Sequence, residues 1–206
     1  TLEPFSRAGW RVYAFEPDPE NRAILEQHIK RSGLKNVIVD ERALGDCPGE
    51  LSFFKSDVSK GISSLLDFHE SHTAIGKVKV TTLNDFLRSQ GIHKIDFLKT
   101  DAEGYDLKIL QGIDLDTYQP EVILREFEDA KTTKLDYTVR DTAAYLHQHQ
   151  YRILFSEWYP IRQYGTRHQW KRFTTDMEQL DPKAWGNIIA VRPAHFDRLC
   201  QLSKKI

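Results

Sequence analysis

The chain has 206 residues, 40% of them hydrophobic and 29% charged, with a formal net charge of −1. That is enough for one domain with a sizeable core, and the near-balance of charge argues against a chain built mainly to hold nucleic acid or an anionic membrane. No apolar run approaches the roughly 20 residues that span a bilayer, the opening TLEPFSRAGWRVY lacks the blocks of a signal peptide, and two cysteines, Cys47 and Cys200, make no disulfide framework, which points to a reducing, cytoplasmic setting.

The sequence starts at Thr1 and its single methionine is Met177. A processed N-terminus or a longer parent chain is therefore expected. Apolar β-rich runs alternate with helix-like runs, the pattern of an α/β protein with a mainly parallel sheet. The first strand is expected at Arg11–Phe15. Asp18 and Pro19 then open a helix as cap and first helical residue, with Ala23, Ile24, Leu25 and Ile29 as its apolar stripe and Gly33 as its stop. Strands follow at Asn36–Val39, in GELSFFK and in KVKVTT, with Gly61–Phe68 between the last two. Thr82 caps the helix LNDFLRSQ. Ile95–Lys99 reads as a buried strand, Tyr105–Gln111 as a helix ended by Gly112, and Glu121–Phe127 as a strand. Asp141–Gln150 is expected to be helical, Tyr151–Phe155 and Asn187–Val191 to be strands, and His195–Ser203 to be a final helix.

In open sheets of this kind ligands bind beyond the carboxyl ends of the strands, so the loops there carry the argument. Glu16, after the first strand, can accept hydrogen bonds from both ribose hydroxyls of a nucleotide. It can equally be one of two acids, with Asp18, that favour a helix N-terminus, although Pro17 holds it extended and outside the helix. Asp40–Leu44, after the second strand, suits an adenine pocket or an ordinary polar turn. The densest run is Lys99-Thr100-Asp101-Ala102-Glu103-Gly104-Tyr105-Asp106. Paired acids at a strand end can orient a hydroxyl, accept its proton or hold a metal, or they can simply cap the next helix. Glu126 and Glu128 would face the same cleft if the sheet is parallel. Asp114-Leu115-Asp116 reads as a loop, and His147 and His149 do not share a helix face. Tyr151–Phe173 interleaves aromatic residues (Phe155, Trp158, Tyr159, Tyr164, Trp170) with cations (Arg152, Arg162, Arg167, Lys171, Arg172). It can stack on sugars or cap the sheet edge, and single-stranded nucleic acid would use similar parts.

Together these segments resemble the FkbM family of S-adenosylmethionine-dependent methyltransferases. The resemblance rests on VYAFEPDPENRAIL, on RALGD followed by GELSFF, and on Gly61-Ile62-Ser63-Ser64-Leu65. It continues through VTTLNDF, IDFLKTDAEGYDLKILQGI and PEVILREFE. It runs from Arg11 to about Glu128 and is loose from Thr132 onward.

The resemblance implies a Rossmann-like class I methyltransferase sheet, mostly parallel, seven-stranded with the last strand antiparallel, and with helices on both faces. It implies one domain over 1–206 lacking the first strand and Gly-rich loop; the aromatic and cationic run points to 151–185 as an acceptor-side or cap segment. It implies that Glu16 and Pro17 meet the cofactor ribose, that Arg42 and Ala43 lie near its adenine, and that Ser64 and Asp101 also contact it. Asp101 and Glu103 are then the catalytic residues beside the acceptor. S-adenosylmethionine is the implied cofactor, and a divalent metal on the same acids is left open. The implied partner is a small acceptor, a hydroxyl on a sugar or glycosylated molecule; nucleic acid and a membrane span are not expected, and the oligomeric state is not read.

One departure stands out. The Gly-rich loop that should precede the FEP strand is absent, and Thr1–Gly9 reads as the helix that should follow it. An upstream strand and turn are therefore expected. A non-catalytic scaffold that keeps the fold is the alternative to an enzyme. A nucleotide-dependent oxidoreductase is a weaker one, since no G-x-G-x-x-G is present.

Overall fold

The computed structural model describes residues 2–56, 64–65, 72–161 and 167–205. Gly61, Ile62, Ser63, Phe68, Arg162 and Tyr164, all singled out above, lie outside them. The short helix α1 (Leu2–Arg7) leads into β1 (Val12–Phe15), which pairs in parallel with β2 (Val37–Asp40) from Val12↔Val37 to Phe15↔Asp40. Between them runs α2 (Pro19–Arg31). Its N-terminus is fixed as expected: the Asp18 carboxylate accepts from the Glu20 N–H at 2.8 Å, and Pro19 occupies the first turn. Its apolar stripe is only partly covered. Leu25 and Ile29 are half-buried and Ile24 is 55% exposed.

A second, mixed sheet contains β3 (Ala43–Leu44), β4 (Gly49–Ser56) and β5 (His72–Thr81) in the order β3-β5-β4. β5 begins earlier than the sequence pattern suggested, at His72, because it pairs antiparallel with β4 along its whole length. The two-residue β3 was not foreseen; its parallel pairing with Val80 and Thr81 creates it. Thr82 caps α3 (Leu83–Ser89), its hydroxyl accepting from the Asp85 N–H at 3.0 Å. That helix buries Leu83, Phe86 and Leu87. The Phe86 ring meets Tyr13 and Phe15 edge-on at 5.2 and 4.8 Å, so α3 packs over β1.

The third sheet holds the core. β6 (Phe97–Thr100) pairs in parallel with β7 (Val122–Glu128), joined through α4 (Asp106–Gln111) and α5 (Leu115–Tyr118). Asp114 proves to be the N-cap of α5, accepting from the N–H groups of Asp116 and Thr117, so this stretch is a helical turn rather than a loop. After β7 come α6 (Asp129–Thr132), α7 (Val139–Gln148), β8 (Arg152–Trp158), β9 (Trp170–Thr174), β10 (Trp185–Val191) and α8 (Pro193–Ser203). α7 starts two residues before the expected Asp141, because Thr138 and Asp141 form a reciprocal capping box. Leu110, Ile123, Leu146 and Ile188 are fully buried around this sheet.

The order in the third sheet is β6-β7-β10-β8-β9. β10, the last strand, is antiparallel to both of its neighbours, as expected, and β9 returns antiparallel beside β8. The protein is therefore α/β with mixed sheets rather than mostly parallel ones. The described strands also form three sheets rather than a single seven-stranded one, because no described strand joins β1 to β6.

Candidate active site

Phe5 shows how the β1 and β6 edges are related. Its ring stacks on Phe97 at 4.7 Å and meets Trp10 edge-on at 5.3 Å. Phe97 begins β6 and Trp10 just precedes β1, so both strands start at the same end and leave at the same end. Between them lies a cavity of about 1040 Å³. Its lower part is lined by Phe5, Trp10, Val12 and Phe97. Its upper part, at the carboxyl ends of the strands, is lined by Glu16, Pro17, Ala43, Ser64, Thr100 and Asp101. Five of the seven residues expected at the site thus border one cavity. Arg42 and Glu103 do not line it.

Glu16 is positioned by its own turn: Oε1 accepts from the Asp18 N–H at 2.9 Å, and the Arg22 guanidinium donates to the Glu16 carbonyl at 2.9 Å. Burial raises the pKa of its carboxyl, against the pull of the Asp18 N–H. Arg42 is committed elsewhere. It forms a two-point pair with Asp40, Nε–Oδ1 2.9 Å and Nη2–Oδ2 2.6 Å, which holds Asp40 below the usual carboxylate range. Thr100 is 4% exposed, and among the described residues its hydroxyl oxygen has no hydrogen-bond partner. A buried, unpaired hydroxyl on the wall of a cavity is an unmet demand for a ligand atom or water.

The acidic loop after β6 divides into two roles. Asp101 keeps a side chain 46% exposed and pairs with Lys99 at 2.5 Å. Asp106 is turned inward, and its carboxylate accepts from the N–H groups of Ala102 and Gly104. The Tyr137 hydroxyl donates to the Gly104 carbonyl. These bonds hold Glu103 in the left-handed region at φ 50°. Few non-glycine residues adopt that conformation, which costs about 1–2 kcal/mol.

Glu103 meets Lys131 of α6, Oε2–Nζ 2.7 Å, and the same ammonium reaches Glu126 Oε2 at 3.3 Å and Glu128 Oε2 at 2.9 Å. The parallel pairing of β6 and β7 thus brings the strand-end acids into one cleft, as the sequence suggested. Burial is the main cause raising Glu103, and it pushes Glu126 up to about 8 against the attraction of Lys131. Burial opposes charge on Lys131, but Glu126, Glu103 and Glu128 together hold its pKa above the ordinary lysine range. One carboxylate oxygen each from Asp101, Glu103 and Glu126 falls within 4.8 Å of the others.

Sequence reasoning missed Lys131 and Thr100. Lys131 has a usable signal: three acids at two adjoining strand ends need a counter-charge, and the run EFEDAK supplies a lysine three residues after Glu128. Thr100 has none. The aromatic segment splits. Tyr151 and Phe155 are core residues, whereas Trp158 stacks at a tilt on Trp185 at 5.3 Å and His168 meets Trp185 at 5.0 Å. Register connects this cluster to the acids. Trp185 lies opposite both Glu128 on β7 and Trp158 on β8. Directly opposed residues share a sheet face, as do residues two apart in one strand. Glu126, Glu128, Trp185 and Trp158 therefore lie on one face. Among the described residues, the Trp158 Nε1–H is buried without a partner.

Cys47 and Cys200 are both free. No helix among the described residues is long and apolar enough to cross a membrane.

The chain is similar to the crystal structure of the methyltransferase FkbM from Methylobacillus flagellatus KT, with 16% identity and a TM-score of 0.49, over 88% of this chain and 36% of that one. It is also similar to a precorrin-6y C5,15-methyltransferase from Geobacter metallireducens GS-15, with 13% identity and a TM-score of 0.40, over 88% of this chain and 67% of that one. The chain thus spans little more than a third of the first of these structures. No curated protein sequence matches it significantly. The family model described as the methyltransferase FkbM domain matches residues 2–153, most of the chain. The chain belongs to the FkbM methyltransferase family.

Proposed function

We propose that the protein transfers a methyl group from S-adenosylmethionine to a hydroxyl of a sugar or glycosylated small molecule. The observation that carries this reading is the cavity at the carboxyl ends of β1 and β6, where Glu16, Ser64 and Asp101 converge with the Thr100 hydroxyl, which has no partner among the described residues. These residues fit such a cofactor. Glu16 would take a ribose hydroxyl, Pro17 and Ala43 give apolar walls, and Thr100 and Ser64 offer hydroxyls. Arg42 would act through Asp40, which it holds in place. When bound, the cofactor supplies an activated methyl group on a sulfonium.

The protein's own part is then positioning and one proton. Asp101, exposed at the cavity mouth and paired with Lys99 at 2.5 Å, accepts the acceptor's hydroxyl proton or shares it. Glu103 orients the acceptor from the other side of the loop. General-base help of this kind contributes about 10²–10⁴-fold, and alignment can supply about 7–11 kcal/mol. A sugar acceptor is supported by the shared face: carboxylates for hydroxyls, then the Trp158–Trp185 pair for the apolar face of the ring.

We also propose that one further parallel strand, supplied from upstream of Thr1, fills the lower part of the cavity. Its support is the pair of facing strand edges and the rule that a strand–helix–strand crossover sets its two strands side by side, which puts the strand preceding α1 next to β1.

Calorimetry with S-adenosylmethionine on a protein extended upstream tests this reading. Binding that disappears in Glu16→Ala upholds it. An extended protein that binds none overturns it in favour of a non-catalytic scaffold. For the acceptor, Trp158→Ala and Trp185→Ala should raise KM for a sugar acceptor while leaving cofactor affinity unchanged.

A further inference from the structure

We propose that Lys131 is a positioning residue whose ammonium takes the place a divalent cation would fill among Glu103, Glu126 and Glu128, so that the acidic cluster works without metal. The inference rests on the reading of Asp101 and Glu103 as acceptor-side groups. It starts from three carboxylates that are almost out of water and point at one nitrogen, at 2.7, 3.3 and 2.9 Å. The Lys131 side chain is only 5% exposed. Buried carboxylates in such numbers must take up protons, capture a cation or be given one by the fold. The ammonium, with three donors and no acceptor, donates to Glu103 and Glu126 and forms an ion pair with Glu128.

The fold puts it there by two devices. α6 folds back directly after β7, so Lys131 lies three residues beyond Glu128, on the same side of the helical turn. The Asp129 carboxylate accepts from the Val139 N–H at 2.7 Å and ties that turn to α7. From the opposite side, Asp106 and Tyr137 hold the loop after β6 in the left-handed conformation that carries Glu103 to the ammonium. Asp101, with its oxygen within 4.8 Å of the cluster, pairs instead with Lys99. Each acid on the acceptor side of the cavity thus has a lysine of its own chain as counter-ion.

Lys131 therefore fixes where Glu103 and Glu126 stand, through its contacts to both carboxyl groups. Lys131→Met should open a cation site in its place, whereas Lys131→Arg should keep the cluster closed. The experiment is titration of Mn²⁺ alone, followed by electron paramagnetic resonance and by thermal melting. Wild type and Lys131→Arg should show no Mn²⁺-dependent rise in Tm. Lys131→Met should bind Mn²⁺ about tenfold more tightly than wild type or better, melt higher in its presence, and lose both effects when Glu126→Gln is added. Mn²⁺ binding by wild type that Glu103→Gln or Glu126→Gln abolishes would overturn the proposal, and this arm stands even if Lys131→Met fails to fold. A folded Lys131→Met that binds no Mn²⁺ would overturn it as well. Neither readout involves S-adenosylmethionine, so failure here is distinguishable from failure of the methyl-transfer reading.

Discussion

The Lys131 ammonium lies 2.7 Å from the Glu103 carboxylate, across 28 residues of sequence. That bond ties the loop after β6 to the helix after β7, and so closes the acidic side of the cleft. Its neighbour Glu126 carries the clearest consequence for pH.

The Glu126 carboxyl has an ordinary value of 4.5 and is raised to about 8 in the folded protein. Between those two values the native state holds a proton that the unfolded state has released. Stability contributed by this group is therefore fully present below about 4.5 and is lost as pH rises through about 8. Burial shifts Glu103 and Glu16 in the same direction. Lys131 lies outside this window, since its charge is lost only above the ordinary lysine range. Urea midpoints should fall from pH 5 to pH 8, and Glu126→Gln should flatten that slope.

Asp101→Asn should leave folding almost untouched. The carboxylate is half-exposed, and its pair with Lys99 is of the surface kind that contributes about 0–1 kcal/mol. Turnover should fall by about 10²–10⁴-fold if Asp101 takes the acceptor's proton. Melting curves and single-turnover rates, measured together, check both halves; unchanged turnover would remove Asp101 from the catalytic set.

Tyr137→Phe should affect both stability and rate. The phenol donates to the Gly104 carbonyl and accepts from the Leu107 N–H at 3.5 Å, all within the buried base of the Glu103 loop. Losing it leaves a buried carbonyl without its donor, at a cost of about 1–3 kcal/mol. Denaturant titration should show that loss. kcat should fall with it, because Glu103 is no longer held at its positive φ.

Gly112→Ala tests the contact between two parts of the fold. A Cβ at this position would lie 2.0 Å from the Gly45 carbonyl oxygen, and backbone on both sides leaves nothing flexible to yield. Destabilisation of about 1–3 kcal/mol or more is expected. A Tm within a degree or two of wild type would show that the α4 end can separate from the Gly45 turn.

Much of this protein is legible in its amino-acid order. The caps Asp18 and Thr82, the stop at Gly112 and the buried strand leading to Lys99 are local signals, set by hydrogen-bond geometry and apolar pattern within a few residues. The motif run from Arg11 to Glu128 likewise led to the family, and five of the seven expected site residues border one cavity. Pairing was not legible in the same way. The mixed sheets, the early start of β5 and the existence of β3 and β9 depend on partners far along the chain, which local propensity does not register. Only the tertiary structure set Lys131 among Glu103, Glu126 and Glu128, turned Arg42 onto Asp40, and left the Thr100 hydroxyl, beside an open cavity, without a partner among the described residues. Those outcomes depend on which strand ends the parallel pairing of β6 and β7 brings within reach of one another. The charges are written in the sequence; the distances between them are decided by the sheet.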